Sequence, residues 1–529
     1  MKNLFKKIGA LLVAAVMVLS MCTAVFADET VTTTTPATGT ASDKGTITVK
    51  GVDVEENKTI TVKAYPIVEA VYGAGGEFTG YNNKYSLRNI ENPTVAELSN
   101  IAAKNDLGEG ITLAKQADGS YKTTENQPVG MYLICVTGAE AKVYNVAVAS
   151  INYVNSDGKN LLDPGDVTMT ENIDVASGVT WVKKSDAPDV EKKITSSETK
   201  TENGLGGTQN IGSEIEYTVT VNPIPDYSGN HPKLNVVDTL SAGLTYVPNS
   251  LVVKIGDTVL NRKTETTEGA YTLVEPITDN GNKLTVDFVV NGAYTLNSYK
   301  GQAAVITYKA TLNENAVVNE KANINSVKLN YTKDSKTEGN DGEIEKKTYT
   351  YTFELDGEVN GKGIVTKVGE GENFHKLPGA TFGLYTDEAC NTLYTNDVFT
   401  GTAVSGENGE LHMKGLAAGT YYLKEISAPE GYSINTKVYP VVIAATYYDN
   451  GMLKTWSVTI DGNEAANFSV ANDATVTGTP AGYEIKNTKL SSLPSTGGMG
   501  TYLFTIIGVV VMAGAAGAFF ISRRKGSEE

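Results

Sequence analysis

One lysine stands where an amine is costly. In Gly363-Ile364-Val365-Thr366-Lys367-Val368, strand alternation places Val365 and Lys367 on the same face. A lone charge carried into a core is strongly disfavoured. Burial lowers the pKa of a lysine and raises that of a carboxylic acid. A neutral amine beside a protonated acid and an asparagine amide is a competent reactive set. The amine attacks the side-chain carbonyl carbon, the acid shuttles protons, and ammonia leaves. A second chemical signal is Leu493-Pro494-Ser495-Thr496-Gly497. Pro494 holds this string extended and away from helix, and Gly497 leaves room for close approach at the bond after Thr496.

Other reactive patterns are missing. The three histidines, His231, His375 and His412, are scattered without metal-ligand spacing, and no Gly-x-Ser-x-Gly or His-Glu-x-x-His string occurs. The acid-rich turn Asn155 to Asp166, with Asp157, Asp163 and Asp166, lacks EF-hand spacing and reads as a solvated loop. No enzyme activity, metal or cofactor is expected. A net charge of −17 argues against nucleic acid as a partner. Three cysteines, Cys22, Cys135 and Cys390, are too few for a disulfide scaffold.

The elements that must position these residues begin at the ends of the chain. Residues 1–27 read as an export signal: Lys2, Lys6 and Lys7 precede the apolar stretch Ile8 to Met21, and Val25-Phe26-Ala27 offers a cleavage site. Residues 502–521 form an uncharged apolar segment long enough to span a bilayer as a helix. The basic tail, 522–529, carries Arg523, Arg524 and Lys525, which the positive-inside bias places in the cytoplasm. Between the ends, alternating runs such as Thr46 to Lys50 and Tyr217 to Val221, bounded by Gly, Asn, Asp and Pro, predict strands. Pro93 to Asn105 is the clearest helical exception. The fold class is all-β, a tandem of immunoglobulin-like or transthyretin-like β-sandwiches. About 450 mature residues suggest three domains: 46–180, 187–350 and 361–490, after a Thr-rich leader at 28–45.

Several strings together resemble known surface proteins of Gram-positive bacteria. Leu493 to Gly497, set before an apolar span and a basic tail, resembles the sortase sorting signal. Gly363 to Val368, Leu377-Pro378-Gly379-Ala380-Thr381-Phe382 and Tyr421 to Tyr432 look like the collagen-adhesin B-type domain, the last string resembling the pilin E-box. Pro188 to Ile194, Val236 to Tyr246 and Asn325 to Tyr331 are similar in order to the isopeptide-forming middle domain of major pilins. The chain is thereby identified with the sortase-assembled shaft pilins.

The resemblance implies roles. In the third domain Lys367 would be the nucleophile, Glu425 the catalytic acid and Asn487 the acceptor. In the middle domain the set is Lys192, Asp238 and Asn325. Alternation favours Lys192 over Lys193, because Val190, Lys192 and Ile194 share a face; Asn325 is preferred to Asn323 by analogy with the family's strand. In the first domain Cys135 occupies the place of the acid, in Gly130 to Cys135, so no crosslink is expected from that strand; a free cysteine there is a small hydrophobe. A sortase would cleave after Thr496 through a cysteine thiolate, and an amine would resolve the acyl-enzyme. The region matching the family's Tyr-Pro-Lys motif, Val179 to Pro188, lacks the Tyr-Pro pair and offers Lys184, with Lys183 beside it, as the intersubunit acceptor. The implied partners are a pilus-specific sortase, a housekeeping sortase, a peptidoglycan precursor, identical subunits joined head to tail, and tip and base pilins. The implied location is the cell surface, covalently attached to the wall. The competing reading is a wall-anchored adhesin or ancillary pilin that binds host matrix or glycan without polymerising.

Overall fold

The computed structural model describes residues 39–104, 106–154, 174–195, 200–229, 232–276, 281–334, 336, 341–356, 363–370, 375–490 and 499–525. The expected export signal, most of the leader, the acid-rich turn, His231, the sorting motif 493–497 and the last residues of the tail lie outside them. The chain divides into two compact units, residues 1–352 with 447–454, and residues 353–446 with 455–529.

The first unit contains two sandwiches. In the N-terminal one, β1 (Ile47–Lys50) buries Ile47 and Val49 and leaves Thr48 and Lys50 half-buried, as alternation dictates. The main sheet is built on β2 (Thr61–Tyr72), flanked by β3 (Phe78–Asn83) and β4 (Gly130–Thr137). The strand β5 (Lys142–Tyr144) follows, and β6 (Ala147–Val154) then pairs with β4. The last long strand, β7 (Gly178–Trp181), returns to lie parallel to β1, with Gly178 opposite Ile47. A short β8 (Lys184–Asp186) pairs with β5. The one helix among the described residues of this sandwich, α1, spans Val95–Ala102 and is shorter than the expected 93–105. Pro93, which cannot donate a hydrogen bond, precedes the cap residue Thr94. Thr94 and Glu97 exchange bonds in a capping box, and the Ala103 N–H closes the end on Ser99.

The middle sandwich faces two six-stranded sheets against each other. One runs β9 (Asp189–Ile194), β10 (Glu214–Asn222), then β12 (Ala304–Leu312); the other contains β11 (Leu234–Leu240), β13 (Asn323–Thr332) and β14 (Asp341–Tyr351). β9, β10, β11 and β12 alternate strictly between buried and outward positions. The inward Val, Ile, Leu and Tyr side chains of both sheets form one core, with Val219, Val327 and Leu329 completely enclosed.

The second unit carries the third sandwich. β15 (Val365–Gly369) lies outside the large sheet and pairs with β22. That sheet contains β16 (Thr381–Tyr385), β17 (Gly419–Ser427), β18 (Val438–Tyr447), β19 (Leu453–Ile460), β20 (Asn463–Val470) and β21 (Val476–Pro480). β22 (Tyr483–Asn487) runs parallel to β15. The chain ends in α2, Met499–Lys525, which overlaps the expected 502–521 span and extends beyond it. Among the described residues no helix is long and apolar enough to cross a membrane.

Candidate functional site

Among the described residues only two lysines are buried, Lys192 and Lys367, at 1% and 0% exposure. Each stands beside a buried acid and near a buried asparagine.

In the middle sandwich Lys192 points inward from β9, the edge strand of its sheet, while Asp238 on β11 and Asn325 on β13 reach it from the facing sheet. Asn325 lies opposite Leu240 and Asp238 opposite Val327 in the β11–β13 ladder, so acid and amide sit diagonally on one face. Lys192 Nζ forms an ion pair with the Asp238 carboxylate and donates to Tyr308 Oη at 2.8 Å. Asn325 Nδ2 donates to the same hydroxyl at 2.7 Å. The amine also lies 5.1 Å from the ring centre of Tyr217 and 5.3 Å from that of Tyr308. Burial pushes the Lys192 pKa down and the Asp238 pKa up, each against the pull of its partner's charge. Both shifts favour the neutral amine and the protonated acid.

The neighbouring alternatives have other partners. Lys193 is exposed and bonds Glu191 at 3.0 Å. Asn323 is buried two residues before Asn325, but its amide clamps both backbone groups of Val317, at 2.9 and 3.0 Å.

In the third sandwich the parallel pairing of β15 and β22 puts Lys367 opposite Ile485 and Gly369 opposite Asn487. Lys367 and Asn487 are therefore diagonal neighbours on one face. Lys367 Nζ donates to Asn487 Oδ1 at 2.5 Å, and Asn487 Nδ2 donates to Glu425 Oε1 at 2.7 Å. The amine is 3.7 Å from the same Oε1, while Glu425 Oε2 accepts from the Asn435 backbone N–H at 2.7 Å. The Phe382 ring closes the amine's other side at 5.5 Å. Burial pushes the Lys367 amine down to about 8, against the attraction of Glu425. Gly409, at φ +73°, accepts the Lys367 N–H at 2.7 Å; a Cβ there would lie 2.2 Å from the Lys367 carbonyl oxygen. A glycine is needed for this approach.

Among the described residues the first sandwich has no such set. Ile47 and Val49 occupy the inward positions of its parallel closing pair. Cys135 is buried on β4 in a cluster with Tyr65, Leu98, Ile101 and Leu133. At the boundary of the first two sandwiches, Lys184 pairs with Asp53 and donates to the Gly51 carbonyl at 3.1 Å. Lys183 is exposed, and its ammonium has no ion pair or hydrogen bond among the described residues. Away from these sites, Glu354, Asp356 and His412 bring donor atoms within 4.8 Å of one another. His412 Nδ1 and Asp356 are already bonded to each other.

Tyr308 was missed in the sequence. It is one inward tyrosine in the alternating run of β12, and nothing local separates it from the other core tyrosines.

Fold and C-terminal segment define a class, a cell-wall-anchored surface protein assembled from β-sandwich modules. Residues 361–471 match the SpaA prealbumin-like fold domain, and residues 485–528 match the LPXTG cell wall anchor motif of Gram-positive bacteria. The chain is 28% identical to the trypsin-resistant surface T6 protein of Streptococcus pyogenes serotype M6, over 92% of this chain and 96% of that one. It shares its fold with the crystallised T6 backbone pilin of serotype M6, described as a modular three-domain structure. That comparison has a TM-score of 0.54 at 21% identity and covers 85% of this chain and all of the other. Over nearly its whole length the chain resembles that streptococcal surface protein, and its C-terminal segment carries the cell-wall anchor motif.

Proposed function

We propose that this chain is the shaft subunit of a covalently polymerised, wall-anchored pilus, stiffened by two self-formed amide bonds. The observation that carries the reading is the pairing of each buried lysine in the described chain with an acid and an asparagine. In each site the amine would attack the asparagine Cγ. A C–N bond forms, the Cγ–Nδ2 bond breaks, and ammonia leaves with the proton released by the amine. Glu425 fits the role of proton carrier, since it touches the leaving nitrogen and lies near the amine. Asp238 would serve the middle site.

Polymerisation would use a different amide. A pilus-specific sortase cleaves after Thr496, and a lysine of the next subunit takes the threonyl group; a housekeeping sortase then transfers the finished polymer to a peptidoglycan precursor. Lys183 is the freer of the two candidate acceptors, because Lys184 must first leave Asp53 and the Gly51 carbonyl. A head-to-tail contact of this kind does not close and builds an open filament. The export signal and the C-terminal span would hold the precursor at the membrane, and tip and base pilins would cap the fibre.

Immunoblots of wall extracts boiled in detergent test the reading. High-mass ladders are expected with the pilus sortase present, and monomer alone without it. Replacing Lys183 and Lys184 together should remove the ladders and leave wall-bound monomer. Single unlinked species in every strain would favour an adhesin that is anchored but never polymerised.

A further inference from the structure

The two sites differ in a way that their shared chemistry does not explain. In the third sandwich the Glu425 carboxyl touches the leaving nitrogen directly, at 2.7 Å. In the middle sandwich the acid is an aspartate, shorter by one methylene, and it is bonded to the amine. Asn325 Nδ2 instead meets Tyr308 Oη at 2.7 Å, and Lys192 Nζ meets the same oxygen at 2.8 Å. Neither Asp238 Oδ1 nor Asn325 Oδ1 has a hydrogen-bond partner. A phenol thus stands where the longer acid stands in the other site, in contact with both nitrogens that must exchange a proton.

We propose that Tyr308 is a catalytic residue of the middle-domain crosslink, relaying a proton from Lys192 Nζ to Asn325 Nδ2. The inference rests on the self-crosslinking reading above. As Nζ bonds to Cγ, the amine becomes acidic and gives a proton to Tyr308 Oη. As Nδ2 turns pyramidal it gains a lone pair and takes the hydroxyl's own hydrogen. The Cγ–Nδ2 bond then breaks, ammonia leaves, and Tyr308 ends as it began. Asp238 holds the amine and supports the hydroxyl without having to reach the amide. Tyr308 suits this task because it is enclosed and its ring is fixed by stacking on Tyr217, with ring centres 5.4 Å apart. Burial holds its pKa well above the ordinary value, so it stays a hydroxyl able to donate.

The test follows bond formation in the secreted full-length chain from its first appearance, by intact mass and by mapping branched peptides. The variants are Tyr308→Phe and Tyr246→Phe; the second removes a hydroxyl from a neighbouring core ring, whose centre lies 6.3 Å from that of Tyr308, without touching Lys192 or Asn325. General acid–base help is commonly worth about 100-fold or more, so Tyr308→Phe should form the Lys192–Asn325 branch at least about 100-fold more slowly. The Lys367–Asn487 branch should form at the normal rate in the same molecules, as an internal reference, and Tyr246→Phe should form both normally. A Tyr308→Phe chain that makes both branches at the wild-type rate overturns the relay and leaves the crosslinking reading intact. A wild-type chain without the Lys192–Asn325 branch overturns both. If Tyr308→Phe does not fold, the wild-type chain is made with 3-fluorotyrosine, whose phenol is more acidic. A changed rate confined to the middle branch supports the relay, and unchanged rates at both sites refute it.

Discussion

Replacing Lys367 by Met should isolate the contribution of the proposed Lys367–Asn487 amide bond. Methionine fills the volume of the lysine stem, and Glu425 keeps its bonds to Asn487 and to the Asn435 N–H. The main loss is then the crosslink itself. Lys367 and Asn487 are 120 positions apart. Closing a loop of that length removes chain entropy from the unfolded state worth about 5 kcal/mol on the cross-link model. A domain of about 130 residues unfolds with roughly 0.27 kcal/mol/K near 60 °C. The C-terminal transition should therefore fall by about 15–20 °C. Scanning calorimetry of the full-length chain reads this, with the middle-domain transition as the reference. Mass spectrometry checks that the wild-type chain has lost two ammonia molecules and the variant one. A decrease below about 5 °C, with the wild-type bond present, would refute the claim that covalent closure dominates the stability of this domain.

Lys192→Met should abolish one ammonia loss and the Lys192–Asn325 branch, whereas Lys193→Ala should leave mass and melting unchanged; a reversed pattern, read by the same mass measurement, would move the nucleophile to the surface lysine. Asn487→Ala leaves the Lys367 amine buried and unreacted, with a pKa of about 8 in the folded chain against 10.5 unfolded. Between those values the unfolded chain binds more protons, so stability should rise with pH, by up to about 3 kcal/mol in total. Urea midpoints at pH 7 and pH 10, compared with those of the Lys367→Met, Asn487→Ala double variant, measure it. Equal pH slopes in the two variants would mean that the amine is not held neutral.

Much of the middle site was legible because its strand alternates. Val190, Lys192 and Ile194 are buried and Glu191 and Lys193 are exposed, so period-two reasoning separates two adjacent lysines. The same reasoning has less force on β15, where all five residues are buried and either parity would enclose a side chain. There the identification of Lys367 depended on the strings that surround it. Asn323 and Asn325 share a face and are both buried, so no local pattern divides them. What separates them is tertiary: Val317 engages one amide and Tyr308 the other. The hold of Asp53 on Lys184, across 131 positions, was likewise invisible before folding. The helix α1 spans Val95–Ala102, several residues shorter than the expected 93–105, because the capping box of Thr94 and Glu97 fixes where it starts.

The parallel closing pair of the first sandwich has isoleucine and valine where the third has its lysine. In a filament joined through Lys183 or Lys184 and Thr496, a pull on the fibre enters each subunit after this pair and leaves beyond β22. The first sandwich hangs beside the load path rather than within it. Both buried amines would lie inside the stretch that bears force, and the spared module has none among its described residues. Noncovalent packing would suffice there, and its surface could change without weakening the fibre.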